Sequence, residues 1–125
     1  PGACAAITAL CASGIASDRF CFEGFLPVKK GRATRLAALS SESRTLVFYE
    51  SPHRLVKTLT QFAETFGPER QVAVCREISK VHEESVRGTL EEVLAHFTET
   101  EPRGEFVIVL AGCEEKESKE KNTNE

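Results

Sequence analysis

The sequence predicts an α/β domain: a mixed sheet flanked by helices. Three observations carry this. Short, fully apolar runs bounded by polar turns, such as Thr45 to Tyr49 and Phe106 to Leu110, read as strands buried on both faces. Segments with helical spacing alternate with them, which is the pattern of layered α/β folds. Finally, a short strand pattern, Glu83 to Arg87, directly follows another strand with no helix between, so the sheet is mixed rather than all parallel.

Taken in order, Pro1-Gly2 opens as a turn, and Ala3 to Ala12 is small and apolar nearly all round. That composition predicts a helix buried on most sides, ended by Ser13-Gly14. Phe20-Cys21-Phe22 reads as a strand. Val28 to Arg35 then gathers Lys29, Lys30, Arg32 and Arg35 without an acid, followed by a helix with Leu36 and Leu39 inside, running to about Glu42. Basic side chains are not favoured by the dipole at a helix start, so the run reads as a phosphate-contacting loop. Next, Thr45 to Tyr49 runs into Glu50-Ser51-Pro52-His53-Arg54. Ser51 stands where an N-cap belongs and Pro52 where a first helical residue belongs. Leu55, Leu59, Phe62, Ala63 and Phe66 give the helix its inner face, and Gly67-Pro68 stops it. Such strand-to-helix junctions collect ligands in α/β proteins.

Val72 to Cys75 predicts another strand, ending in the titratable cluster Arg76, Glu77, Lys80, His82, Glu83 and Glu84. A partly buried Lys80, His82 or one of the carboxylates is a candidate general base; a charged connection with mutual ion pairs is the structural alternative. Thr89-Leu90-Glu91-Glu92 is a capping box, and Leu90, Val93, Leu94 and Phe97 are the inner face of its helix. Pro102-Arg103-Gly104 turns into the last strand. From Glu114 onward the chain holds no apolar residue, so residues 113–125 are expected to be a disordered charged tail.

The 125 residues suffice for one domain, with 41% hydrophobic and 28% charged residues. A net charge of −3 provides no global field for nucleic acid, so any such contact needs a local patch. No apolar run approaches a membrane span. Cys4, Cys11, Cys21, Cys75 and Cys113 form no C-x-x-C pair, which reads as reduced thiols in a cytoplasmic protein, with no metal site. There is no nucleophile elbow, zinc-binding helix or P-loop. The chain opens at Pro1 rather than Met, and the expectation is a fragment of a longer protein.

Several stretches in one order are informative together: Phe22-Glu23-Gly24-Phe25-Leu26-Pro27 with Lys29-Lys30-Gly31, then Phe48-Tyr49-Glu50-Ser51-Pro52-His53-Arg54, then Arg76-Glu77-Ile78-Ser79-Lys80 with His82-Glu83-Glu84, then Arg87-Gly88-Thr89-Leu90, then Pro102 to Val107. This series resembles the C-terminal domain of the ribosomal RNA small-subunit methyltransferase I family, within the tetrapyrrole methylase superfamily. The likeness covers residues 1–112. It implies transfer of a methyl group from S-adenosylmethionine to the ribose 2′-hydroxyl of a cytidine in 16S rRNA, by a homodimer. It also implies a missing N-terminal domain that carries the glycine-rich cofactor loop.

By that resemblance Cys4 and Ala5 border the cofactor, in an element usually written P-G-P-S-A; here Ala3 replaces Pro and Cys4 replaces Ser. Tyr49, Glu50, Cys75, Glu105 and Phe106 flank the adenine pocket. The expected base is Lys80, tuned by Glu83 or Glu84, with His53 as second candidate. Lys29, Lys30, Arg32, Arg35 and Arg54 are expected to hold RNA phosphates. Two other readings stand beside this one: a methylase acting on a tetrapyrrole precursor, and a non-catalytic RNA-binding α/β module.

Overall fold

The computed structural model describes residues 3–79 and 82–114, with the backbone alone at residues 3, 4, 77–79, 82 and 83. The expected tail falls beyond them, apart from Cys113 and Glu114. The elements run α1 (Ala3–Ala12), β1 (Phe20–Phe25), α2 (Arg32–Leu39), β2 (Thr45–Glu50), α3 (Leu55–Phe66), β3 (Gln71–Ser79), β4 (His82–Thr89), α4 (Leu90–Glu99) and β5 (Glu105–Leu110). They form one five-stranded mixed sheet in the order β1-β2-β5-β3-β4. β1 and β2 are parallel, and every other pairing is antiparallel.

Why the strands read as unbroken apolar runs is now plain: both faces are covered. On one side α2, α3 and α4 pack Leu36, Leu59, Phe62, Val93 and Phe97 against Leu46, Phe48, Val74, Phe106 and Ile108. On the other side α1 sets Ala6, Ala9 and Leu10 against Val47, Tyr49, Val107 and Val109, with Ile15 beside them. The result is three layers with β2 fully buried. α1 is less enclosed than its composition suggests. The stripe of Ala6, Ala9 and Leu10 is buried against the sheet with Ala5 partly buried beside it, whereas Ile7 is 48% exposed. A single helix laid on a sheet buries one side of itself, whatever the polarity of its other side.

The α4 boundary matches the sequence pattern closely. The Thr89 hydroxyl accepts the Glu92 N–H at 3.2 Å, and the Glu92 carboxylate accepts the Thr89 N–H at 3.0 Å. The start of α3 departs from expectation. Ser51 is not its N-cap: Pro52, His53 and Arg54 form a turn closed by the Arg54 N–H donating to the Ser51 carbonyl, and the helix begins at Leu55. The Ser51 N–H is already held by the Glu50 side chain at 2.8 Å, which fixes the chain in a turn before the helix.

The segment after Cys75 departs further. It is no connection beyond a strand end but a hairpin, with β3 continuing to Ser79 and β4 beginning at His82. α2 likewise ends at Leu39, three residues short of Glu42.

Candidate functional site

β1, β2 and β3 point the same way, with β5 and β4 antiparallel to them. The sheet therefore gathers Tyr49, Glu50, the β3–β4 hairpin and Glu105 at one end. α1 runs back along the sheet. Its C-terminal turn lies near the start of β2, where the Thr45 hydroxyl donates to the Ala16 carbonyl at 2.6 Å. Its N-terminal residues, Cys4 and Ala5, therefore lie toward the Tyr49 end.

Across this end, paired residues form one row on the α1 face: Phe25, Tyr49, Val107, Cys75 and Ser85. The Ser85 hydroxyl lies 3.5 Å from the Cys75 sulfur. Phe22 and Phe25 meet the Tyr49 ring edge-on, at centroid distances of 5.1 and 5.6 Å, yet are 51% and 55% exposed. Together they give an apolar, aromatic floor that is open at the β1 edge. Two exposed aromatic rings set side by side at a sheet edge make this face the candidate binding surface. The β1 edge bends there because Glu23 is an extra residue between Phe22 and Gly24, a bulge that Gly24 permits by its φ of +63°.

Of the expected cofactor residues, the structure brings Ala5, Tyr49 and Cys75 to this face. Phe106 is not among them. Its side chain is fully buried on the opposite face, edge-on to Phe97, because alternate strand residues point to opposite sides. Only its backbone belongs to the site end. Glu105 is exposed at the strand start. Backbone alone is described for Cys4. Val107 and Ser85, which complete the row, were not singled out from sequence; the signal was their register opposite Cys75, which needs the fold.

Glu50 alternates to the other face and is 3% exposed. Its two oxygens accept from the Ser51 N–H at 2.8 Å and from the Thr58 hydroxyl at 2.6 Å. A carboxylate so engaged holds the β2–α3 junction together and turns away from the α1 face. Thr58 was also overlooked, though it is one polar residue in the apolar stripe between Leu55 and Phe62.

The titratable cluster divides in the same way. Arg76 pairs with Glu84 directly across the hairpin, on the α4 side, beside His96 and Glu101. Glu84 is thus an ion-pair partner of Arg76 on the face opposite α1. Glu77 is in register with Glu83, and Ser79 with His82. Lys80 lies outside the described residues, and Glu83 is described by its backbone. His53 is exposed in the turn before α3.

Among the basic residues, Arg32 departs most from expectation. It is 7% exposed, with its guanidinium turned into the protein. It donates to Gln61 Oε1 at 2.7 Å, to the Pro27 carbonyl at 3.0 Å and to the Thr58 hydroxyl at 2.7 Å. A buried guanidinium needs such partners, so Arg32 is no surface phosphate ligand. Arg35 forms a two-pronged pair with Glu23, at 2.6 and 2.8 Å. Glu23 also lies 3.2 Å from the Cys21 sulfur; burial and that carboxylate push the Cys21 thiol up. Lys29 and Lys30 are exposed on the loop, and Arg54 is half-buried.

Among the described residues, no group of three or more metal-ligating side chains is close together, and no helix is long and apolar enough to cross a membrane.

Comparison with known proteins points in one direction. The model of the family Tetrapyrrole (Corrin/Porphyrin) Methylases matches residues 1–94. A ribosomal RNA small subunit methyltransferase I of Synechocystis sp. is 51% identical over 114 residues, 90% of this chain and 41% of that protein. Proteins of the same name from Pasteurella multocida and Bacillus subtilis are 50% and 48% identical, over 98% and 94% of this chain. The chain spans about two-fifths of the length of these relatives, 44% and 40% for the last two. In fold it is similar to a cobalt precorrin-4 methyltransferase of cobalamin biosynthesis, with a TM-score of 0.65 at 18% identity over 89% of this chain and 50% of that one. It is also similar to a uroporphyrin-III C-methyltransferase from Thermus thermophilus complexed with S-adenyl homocysteine, with a TM-score of 0.56 at 22% identity over 82% and 48%. With most of its length matched by the family model and its sheet shared with these structures, the chain belongs to the tetrapyrrole (corrin/porphyrin) methylase family.

Proposed function

We propose that this chain is the C-terminal domain of a cytoplasmic, homodimeric methyltransferase. It would use S-adenosylmethionine and modify the ribose 2′-hydroxyl of a cytidine in 16S rRNA. The observation that carries this reading is the identity of about half of all residues with proteins named for rRNA methylation, across nine-tenths or more of the chain. Because those relatives are more than twice as long, the reading makes this chain one of two domains, the other supplying the glycine-rich cofactor loop.

The residues present suit the cofactor. The Tyr49–Val107–Cys75 row is an apolar strip of the kind that holds a purine, next to strand-end main chain able to hydrogen-bond its edge. When bound, the cofactor supplies an activated methyl group on a sulfonium. The chain's own tasks are then to orient the acceptor ribose and to take its proton. Lys80 is proposed for that proton, with Glu83 tuning it, and His53 is the second candidate. Lys29, Lys30 and Arg54 are the cations proposed to face RNA phosphates.

The test is methyl transfer from labelled S-adenosylmethionine to small ribosomal subunits lacking the modification, with this chain and with the full-length protein. Label at a cytidine ribose with the full-length protein supports the reading. Bound cofactor without label in rRNA would overturn the substrate.

A further inference from the structure

Two of the sequence stretches that carry the family resemblance, the Lys-Lys-Gly-Arg loop and the Phe-Tyr-Glu strand end, are joined by one buried polar chain. It runs from the Pro27 carbonyl through the Arg32 guanidinium and the Thr58 hydroxyl to the Glu50 carboxylate, with steps of 3.0, 2.7 and 2.6 Å. Every joint has a defined direction: Arg32 donates to both the Pro27 carbonyl and the Thr58 hydroxyl, and the Thr58 O–H donates to Glu50. A guanidinium and a carboxylate are thus buried together with one hydroxyl between them, which is how two opposite charges are tolerated out of water. Gln61 holds the guanidinium from the side at 2.7 Å.

The loop between Pro27 and Arg32 is pinned at both ends by this arrangement. Arg32 grips the Pro27 carbonyl, and its own N–H donates to the Lys29 carbonyl at 3.2 Å. Gly31 closes the turn at a φ of +85°. Lys29 and Lys30 are left pointing outward, both exposed.

We infer that Arg32 is a positioning residue: its buried contacts to Pro27 and Thr58 set the shape of the Lys29–Lys30 turn for a polyanion and tie that turn to the strand end at Glu50. Arg32 itself touches no phosphate. The polyanion is RNA, so the binding arm rests on the function proposed above, whereas the loop-shape arm does not.

The loop-shape arm uses trypsin on the native chain. Arg32→Gln and Thr58→Val should speed cleavage after Lys29 and Lys30 about tenfold without a matching rise after Arg70, and Thr58→Ser, which keeps the hydroxyl, should return the slow rate. Equal acceleration at both places means general unfolding and overturns the latch. Unchanged cleavage in Thr58→Val also overturns it.

The binding arm titrates the full-length protein with small ribosomal subunits at several salt concentrations. Lys29→Gln and Lys30→Gln should each reduce the slope of log K against log[salt] by about 0.7–0.9, the amount expected per phosphate contact. Arg32→Gln should weaken binding about tenfold, and in a protein that already lacks both lysines it should leave the slope unchanged. A further fall of about 0.7–0.9 when Arg32→Gln is added to the double lysine variant makes Arg32 a phosphate ligand and overturns the proposal. Unchanged binding in both lysine variants removes the RNA reading of the loop; the proteolysis result then stands or falls by itself.

Discussion

Replacing Thr58 by Val is the most informative single change in this domain, because it keeps the volume and removes only the hydroxyl. Thr58 is 1% exposed and its partners Glu50 and Arg32 are 3% and 7% exposed, so neither partner of that hydroxyl can readily turn to water. Two hydrogen bonds go, one to the Glu50 carboxylate at 2.6 Å and one from the Arg32 guanidinium at 2.7 Å. Bonds to charged groups contribute about 1.5–3 kcal/mol each, and unsatisfied buried partners cost more than the bond itself. The loss is limited because Glu50 keeps the Ser51 N–H while Arg32 keeps Gln61 and Pro27. The expected cost is therefore about 2–4 kcal/mol, a large share of the roughly 5–15 kcal/mol that holds an ordinary domain together. Thr58→Ser keeps the hydroxyl and gives up one methyl, at about 1 kcal/mol. The order is the diagnostic: the more apolar variant, in an apolar layer, should be the less stable one. Equilibrium urea unfolding followed by far-UV circular dichroism measures both. Thr58→Val as stable as Thr58→Ser, or more so, would refute a role for the hydroxyl in joining Arg32 to Glu50.

Phe62→Ala should cost about 3–5 kcal/mol in the same assay, since Phe62 is fully buried against Phe48 and Phe66 at centroid distances of 4.8 and 5.4 Å; a loss below about 1 kcal/mol would contradict that packing. The Thr89 N–H holds the Glu92 carboxyl below its ordinary value of 4.5, so its contribution to α4 is fully present above that value and is lost as pH falls through the lowered one. Accordingly, Glu92→Gln should destabilise at pH 7 and flatten the acid limb of a stability–pH curve, and an unchanged acid limb would count against the capping box. The raised Cys21 thiol should alkylate slowly with iodoacetamide at pH 8, and Glu23→Gln should speed it, as read by peptide mass spectrometry; no change in rate would dismiss the influence of that carboxylate.

Features set by neighbours in the chain were legible from residues alone. The α4 start is one, because Thr89 and Glu92 satisfy each other's backbone within four residues. The Gly67 stop is another. β2 was legible because Thr45 to Tyr49 is apolar on both faces, a pattern few other structures need. The α3 start was misread because Ser51 and Pro52 carry a good local cap signal that a side chain outside the helix, Glu50, overrides. The hairpin was underestimated because its charged residues, Arg76 and Glu84, neutralise each other across strands, which no one-dimensional pattern records.

From the sequence by itself came the α/β class, the mixed sheet, most element boundaries and, through the run of motifs, the family. Each rests on local propensity or on the order of residues, which the chain carries in one dimension. Only the tertiary structure decided which way a polar side chain points. It placed Tyr49 and Cys75 on one face and Glu50 and Phe106 on the other, and it turned Arg32 from a surface cation into a buried clamp. The physical reason is that the direction of a charge is set by where its partners lie, and Thr58 and Gln61 stand on a helix 26 and 29 residues away from Arg32.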